Sequence, residues 1–511
     1  MPVSPDPVPR PLDHLAEYGA GDAAALVLRD RTLTYQDLRA RIGLLAGWLA
    51  SEVTEKGARV ASWAAKGELT CLLPLAAARA GLVHVPVNPL LKRAQVAHIL
   101  ADSGAALLIG NTARLATLES GDVPDGCRTV EEQAAWRGAE EQGKHLGPSQ
   151  ADPADPADLA AILYTSGSTG KPKGVMLSHA NLWLGAVSVA SYLGLVADDV
   201  VLAVLPLSFD YGQNQLLSAW RAGARVVPLD YLTARDVIKA CARHGVTTLA
   251  AVPPLWVQLV EHEWPGEAVA SMRRLTNSGG ALTVDLVAGL RRIFMKLDIF
   301  PMYGLTEAFR STFLDPALVA THPTSMGKAI PFAEILIIGD GDDVTAAGEE
   351  GELVHCGPLV AQGYWRDPAR TAERFRPAPA ASHYGGTAVW SGDRVVRDED
   401  GLLYFAGRRD AMIKSAGNRI SPQEIEDAAR ATGLVSEAVA LGLPDERLGQ
   451  AVHLVVRAAN GAADAQAELP RRLARELPNF MQPKAIHWRE AMPLNLNGKI
   501  DRVALAVELG Q

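Results

Sequence analysis

The stretch YTSGSTGKPKGV, Tyr164 to Val175, holds three glycines, four serine or threonine hydroxyls and two lysines. Glycines let backbone N–H groups approach an anion closely, while hydroxyls and lysines add donors and positive charge. Such a segment reads as a cradle for a polyphosphate. It is not a Walker A loop, because Lys171 is followed by Pro172 and the glycine spacing differs. Nor is it the dinucleotide pattern GxGxxG, since Gly167 and Gly170 enclose Ser168 and Thr169. A flexible Gly/Ser linker would not place two lysines around a proline between two apolar runs. Those runs are DLAAILYT, a strand candidate, and SHANLWLGAVSVA, a helix candidate starting near Ser178 or His179. The loop is therefore expected in a strand–loop–helix unit.

Further runs follow in a fixed order. They are YGLTE (Tyr303–Glu307), GELVHCGPLVAQGYW (Gly351–Trp365), WSGD ending at Asp393, GRRDAMIKSAGNRI (Gly407–Ile420), LPNFMQP and PLNLNGKIDR. Together with the glycine-rich loop they resemble the adenylate-forming superfamily, which includes acyl-CoA synthetases, adenylation domains of peptide synthetases and luciferases. The likeness runs from Leu33 to Lys499. Its one visible departure is Ser391 in Ser391-Gly392-Asp393, where the family usually has threonine; the hydroxyl is kept.

The resemblance implies a chemistry. A carboxylate attacks the α-phosphate of ATP, pyrophosphate leaves, and a thiol then displaces AMP from the acyl-adenylate. The first step gathers charge on phosphoryl oxygens and so calls for positioned cations and donors. By resemblance, Thr165, Ser166, Gly167, Ser168, Thr169, Gly170 and Lys173 hold the β- and γ-phosphates. Glu307 binds Mg²⁺, a hard cation suited to bridging phosphates and a carboxylate, and Thr306 sits at the α-phosphate. Tyr303 stacks on adenine beside Gly279, Gly280, Ala281 and Gly304. Asp393 accepts from the ribose hydroxyls, with Arg408 as a second contact. Lys499 bridges the acyl carboxylate and the α-phosphate; out of context its NGK reads as a hairpin turn with an exposed lysine. Asp410 matches a hinge on which the small domain turns between half-reactions. Gly417 matches a glycine lining the pantetheine path, near Arg419 and Lys414.

The acid is less legible. Phe209, Asp210, Tyr211, Asn214, Met302 and Arg310 fall where the family lines its acid pocket. In amino-acid-activating relatives a Phe-Asp pair supplies the carboxylate for the substrate's α-ammonium. Asp210 is equally placed to cap the helix beginning YGQNQLLSAW. Arg310, if it faces the pocket, favours a polar or second-carboxylate acid over a long alkyl chain. LPLSFDYGQNQL, AAVPPLWVQL and YGLTEAFRST are together most like the stand-alone acyl-CoA ligases associated with exosortase systems. The acceptor is either CoA or the phosphopantetheine of a separate carrier protein, since no carrier domain follows Lys499 in the sequence. A non-catalytic nucleotide-binding homologue would be expected to lose Lys499, Glu307 or Asp393, and all three are present.

These residues need a scaffold. The 511 residues, 48% hydrophobic and 21% charged, exceed one compact core. Short apolar runs such as AAALVL and RVASWAA read as strands, and LRARIGLLAGWLASEV as an amphipathic helix. The alternation predicts an α/β fold, with a large N-terminal domain of layered α/β subdomains (1–406) and a small mobile α+β C-terminal domain (407–511). The polar stretch from Leu118 to Leu159 reads as a surface connection without elements. Net charge is -9, which argues against a nucleic-acid partner. Four scattered cysteines and a proline-rich start without an apolar core suggest a cytoplasmic chain. Ala180–Ala197 carries no charge but has too many polar residues for a membrane span, and is expected as a buried helix.

Overall fold

The structure is a computed structural model describing residues 5–149, 156–165, 172–408, 413–415, 418–445, 448–462 and 464–510. Among these residues the first sheet has six strands. Their order is Arg128–Glu131, Ala105–Gly110, Arg59–Trp63, Val83–Pro86, Leu159–Thr165 and Lys173–Ser178. All pair parallel except the last, which runs antiparallel to Leu159–Thr165. The helix Tyr35–Glu52 packs on the helix Glu68–Arg79, which lies against this layer. The former starts at Thr34, whose side chain accepts from the Asp37 N–H while the Asp37 carboxylate accepts from the Thr34 N–H. This reciprocal cap satisfies two amide donors that the first turn leaves open. Leu38, Ile42, Leu45 and Leu49 recur on one face and are buried.

The second sheet is larger, with 14 strands among the described residues. One part is parallel: Asp298–Tyr303, Arg274–Asn277, Thr248–Ala251, Val200–Ala203, Arg225–Pro228 and Ala24–Val27. The other is antiparallel and runs from Thr312–Phe313 through Ser325–Ala329, Leu403–Arg408 and Thr387–Arg397 to Glu350–Cys356 and Glu334–Ile338. Helix His179–Tyr192 lies between the layers, capped by Ser178 and buried on nearly every face. That explains its uncharged sequence. Among the described residues no helix is long and apolar enough to cross a membrane.

A third sheet has five strands among the described residues. Asn418–Ile420, Ile413–Ser415, Gly449–Ala458 and Val435–Asp445 are antiparallel neighbours, and Ala485–Arg489 adds parallel to Gly449–Ala458. Helices Pro422–Ala431 and Ala465–Glu476 cover one face around Ile425, Leu454 and Leu473; Arg502–Leu509 covers the other with Leu505.

Two local expectations are corrected. The stretch 118–159 does contain elements, the edge strand Arg128–Glu131 and the helix Glu132–Gln142. That helix buries only the small Ala135 and Ala139. Gly138 lies against the Trp48 ring, and Arg41 lies 4.0 Å over Trp136. A face built from alanines and a glycine carries little apolar periodicity. The glycine-rich loop joins two strands, not a strand and a helix: Lys173 opens the strand Lys173–Ser178, paired back on Leu159–Thr165 with Thr165 opposite Lys173. The helix follows that strand directly.

Candidate active site

Parallel strands deliver ligand-binding loops at their carboxyl ends. Here Asn277, Tyr303 and Thr165 end three such strands, so the loop after Asn277, the YGLTE run and the glycine-rich loop all leave the layers at strand ends. The described part of the last consists of Thr165 and 172 onward. Ser166, Gly167, Ser168, Thr169 and Gly170 lie outside the described residues, as do Asp410 and Gly417 and the side chains of Arg408, Lys414 and Arg419.

Lys173 and Glu307 are in direct contact. The Lys173 Nζ donates to Glu307 Oε1 at 3.0 Å and to the Tyr364 hydroxyl at 2.7 Å; that hydroxyl in turn donates to Glu307 Oε1 at 2.7 Å. Burial by itself raises the Glu307 carboxyl, but the Lys173 ammonium and the hydrogen bonds from Tyr364 and Lys173 outweigh it, and the net shift is downward. Glu307 is therefore held as an ionised, hard oxygen donor. Among the described residues no three or more His, Cys, Asp or Glu cluster as metal ligands. A divalent cation would be held by this one carboxylate together with phosphate oxygens, the arrangement magnesium favours. Thr165 fits the same ligand, because its buried hydroxyl lacks a hydrogen-bond partner among the described residues.

Tyr303 and Asp393, 90 residues apart, meet directly: the phenol donates to Asp393 Oδ2 at 2.5 Å. Asp393 stands opposite Arg408 in the strand pair. Ser391 uses its hydroxyl twice, donating to the Leu353 carbonyl at 2.6 Å and accepting from the Asp393 N–H at 3.1 Å. The serine thus performs a positioning task for which a hydroxyl suffices.

Lys499 reaches this chamber from the third sheet. Its turn is fixed by Asn495, whose Oδ1 accepts from the N–H groups of Asn497 and Lys499, and by the Asn495 N–H donating to the Lys499 carbonyl at 2.6 Å. Gly498 has φ +75°. The hairpin turn expected from NGK is present, but its lysine is turned inward: Nζ lies 4.9 Å from the Phe209 ring centroid. The side chain crosses Gly279, where a Cβ would stand 2.4 Å from Lys499 Cε. Gly279 also has φ +82°, so two independent constraints select glycine there. Gly280 borders Pro253, its neighbour Ala281 is exposed, and Gly304 has no room for a side chain beside Arg310.

In the acid region the cap reading of Asp210 is corrected. Phe209 occupies the N-cap position of helix Asp210–Arg221, while the Asp210 carboxylate accepts from Thr306 Oγ1 at 2.9 Å. Its other oxygen lies 4.0 Å from the Arg310 guanidinium. Tyr211 donates to or accepts from Thr276 Oγ1 at 2.6 Å. Tyr211, Asn214, Met302 and Arg310 line one small cavity.

Residues 13–365 match the family described as AMP-binding enzyme, and residues 424–499 match the AMP-binding enzyme C-terminal domain. The chain belongs to this family of adenylate-forming enzymes. A feruloyl-CoA synthase from Amycolatopsis sp is 31% identical over 477 residues, 92% of this chain and 92% of that one. An L-proline--[L-prolyl-carrier protein] ligase from Pseudomonas fluorescens is 30% identical, covering 94% of this chain and 95% of that protein. The chain spans only 6% of a probable non-canonical nonribosomal peptide synthetase, CymA, from Salinispora arenicola, at 32% identity. Among solved structures, o-succinylbenzoate CoA synthetase from Bacillus subtilis, in complex with its acyl-adenylate intermediate, superimposes with a TM-score of 0.82. It is 25% identical, with 99% of this chain and 98% of that one covered.

Some residues of this adenylate-forming site carried no sequence signal of their own. Tyr364 lies inside the GYW run, yet only the fold shows its hydroxyl on Glu307. Thr276 and Gln215 lie in ordinary strand and helix runs. Phe309 has φ +57°, and nothing in its type announces that backbone.

Proposed function

We propose that this chain activates a carboxylic acid with ATP and Mg²⁺ and passes the acyl group to the thiol of CoA. The acid's carboxylate oxygen attacks the α-phosphorus, the bond to the bridging oxygen breaks, and pyrophosphate leaves. The thiol then attacks the acyl carbonyl, and AMP departs from the mixed anhydride. The observation that carries this reading is the entry of Lys499 over Gly279 into the chamber that also holds Thr306, Glu307 and Lys173. A cation from the third sheet is thereby placed where charge grows in the first step.

In this reading Glu307 would hold Mg²⁺, which would supply positive charge to the phosphates, and Lys173 would neutralise them further. Tyr303 and Asp393 receive the nucleoside, and Ser166 to Gly170 bind the polyphosphate. Residues 1–406 form the acid- and nucleotide-binding domain. The small domain, 407–511, turns near Asp410 between half-reactions and brings Gly417 and Arg419 to the pantetheine. We place the reaction in the cytoplasm. Support for CoA as acceptor comes from the feruloyl-CoA synthase, alike over nearly its whole length. The prolyl-carrier relative supports transfer to a carrier protein instead, with an amino acid as substrate.

Half-reactions test the assignment. Lys499→Ala should bind ATP nearly as well as the parent. Its acid-dependent pyrophosphate release should fall by about 10²–10³. Thioester formation from pre-made acyl-adenylate should persist. Equal loss in both halves would remove Lys499 from the first step. Offering CoA and a pantetheinylated carrier side by side assigns the acceptor.

A further inference from the structure

The acid pocket is shaped by an unusual turn. The Arg310 N–H donates to the Ala308 carbonyl at 2.6 Å, and Phe309 between them has φ +57° and ψ -59°. This is a γ-turn with positive φ, a rare and strained conformation. The turn is held from outside: the Phe309 ring presses on Gly185, where a Cβ would lie 2.2 Å from it. Strain that the surroundings over-determine is characteristic of ligand sites. Its effect is to send Arg310 inward two residues after Glu307's neighbour Ala308. The guanidinium lies 4.5 Å over the Tyr211 ring, and the residue is 2% exposed.

What Arg310 faces is small. The cavity it lines with Tyr211, Asn214, Gln215, Thr276 and Met302 has about 20 Å³ of space, roughly room for one water. Of these lining residues, Arg310 Nε, Asn214 Oδ1 and both amide atoms of Gln215 are buried without hydrogen-bond partners among the described residues. Asp210 partners Arg310 only at 4.0 Å. Buried polar groups are costly to leave unpaired, so four atoms around one cavity point to a ligand that supplies the missing partners.

We propose that this pocket takes a short dicarboxylic acid, whose second carboxylate is received by Arg310 with the Gln215 amide beside it. The inference rests on the acid-activating reading above. A guanidinium offers a carboxylate paired donors. A long alkyl or aryl tail has no room here and would desolvate Arg310 without a partner. An α-amino acid fits less well, because its ammonium at Asp210 would lie beside Arg310, two cations contesting one carboxylate. Asp210 also faces Lys499 and Glu307; burial pushes its carboxyl up, which eases the arrival of a second anion nearby.

Pyrophosphate release by the unmodified enzyme, with matched acids, provides the test. Butanedioate and pentanedioate are compared with butanoate and pentanoate, with aspartate, and with a phenylpropenoic acid. We expect kcat/KM to favour a dicarboxylate by about 10²-fold or more over its monocarboxylate partner. Arg310→Met should erase that ratio, and Arg310→Lys should restore part of it. Should Arg310→Met fail to fold because Asp210 is left unpaired, Asp210→Asn with Arg310→Met removes both charges together. Preference of the unmodified enzyme for monocarboxylates, aryl acids or aspartate overturns the proposal alone. Absence of pyrophosphate release with every acid overturns the acid-activating reading along with it.

Discussion

Glu307 is the residue whose ionisation the site most depends on. Its carboxyl sits below its ordinary value because the Lys173 ammonium and the Tyr364 and Lys173 hydrogen bonds outweigh burial. In the unfolded chain the same carboxyl binds its proton at higher pH. Between the two values the unfolded state holds more protons, so stability falls as pH drops through that window. At neutral pH the contribution is fully present. Glu307→Gln lacks it, so the gap in Tm between parent and variant should be widest near neutrality. It should narrow as pH falls below about 4. Parallel melting curves across that range would show that the Lys173 contact does not stabilise the fold. The motif residues themselves stand out in the sequence because the proposed chemistry restricts their types: a carboxylate would suit magnesium, a lysine the α-phosphate, a carboxylate the ribose. Tyr364 and Gln215 do not, since a phenol on a carboxylate and an amide facing a cavity are created only when distant segments meet.

At the scale of elements, Gly185 in helix His179–Tyr192 ties core packing to the site. Replacing a mid-helix glycine by alanine ordinarily stabilises by about 1 kcal/mol. Here the added methyl meets the Phe309 ring at 2.2 Å, and the ring cannot retreat without undoing the γ-turn that sets Arg310. Gly185→Ala is therefore expected to destabilise, by about 1–3 kcal/mol, and to lower kcat/KM for the preferred acid. Denaturant midpoints and steady-state kinetics check the two effects, and a raised midpoint with unchanged kinetics would remove this link. The strands Ala24–Val27, Arg59–Trp63 and Leu159–Thr165 and the helix Tyr35–Glu52 could be read from apolar pattern and capping. The helix Glu132–Gln142 could not, because it packs on Ala135, Gly138 and Ala139. Nor could the strand Lys173–Ser178, whose hydrogen bonds to Leu159–Thr165 depend on closing the glycine-rich turn.

For the whole molecule, adenylation as proposed would depend on where the third sheet sits. Asn88 Nδ2 donates to the Leu496 carbonyl at 2.7 Å, and Arg457 pairs with Glu261 at 3.3 Å. These are polar, partly exposed contacts of the kind that separate readily. Between them the Lys499 side chain lies in the groove over Gly279. A methyl at that position would overlap Lys499 Cε at 2.4 Å, and φ +82° would strain it further. Gly279→Ala should therefore keep Lys499 out, lowering acid-dependent pyrophosphate release by about 10²-fold, close to the loss for Lys499→Ala. Combining the two substitutions should cost little more than either alone, because both remove one interaction. Thioester formation from pre-made acyl-adenylate should be largely spared, since in the proposed mechanism the second half-reaction does not use this docking. A local backbone effect at Gly279 would give another result, with additive losses in the double variant and impairment of both half-reactions. Single-turnover measurements of each half-reaction in the four proteins separate these outcomes and show whether the groove at Gly279 serves the inserted lysine.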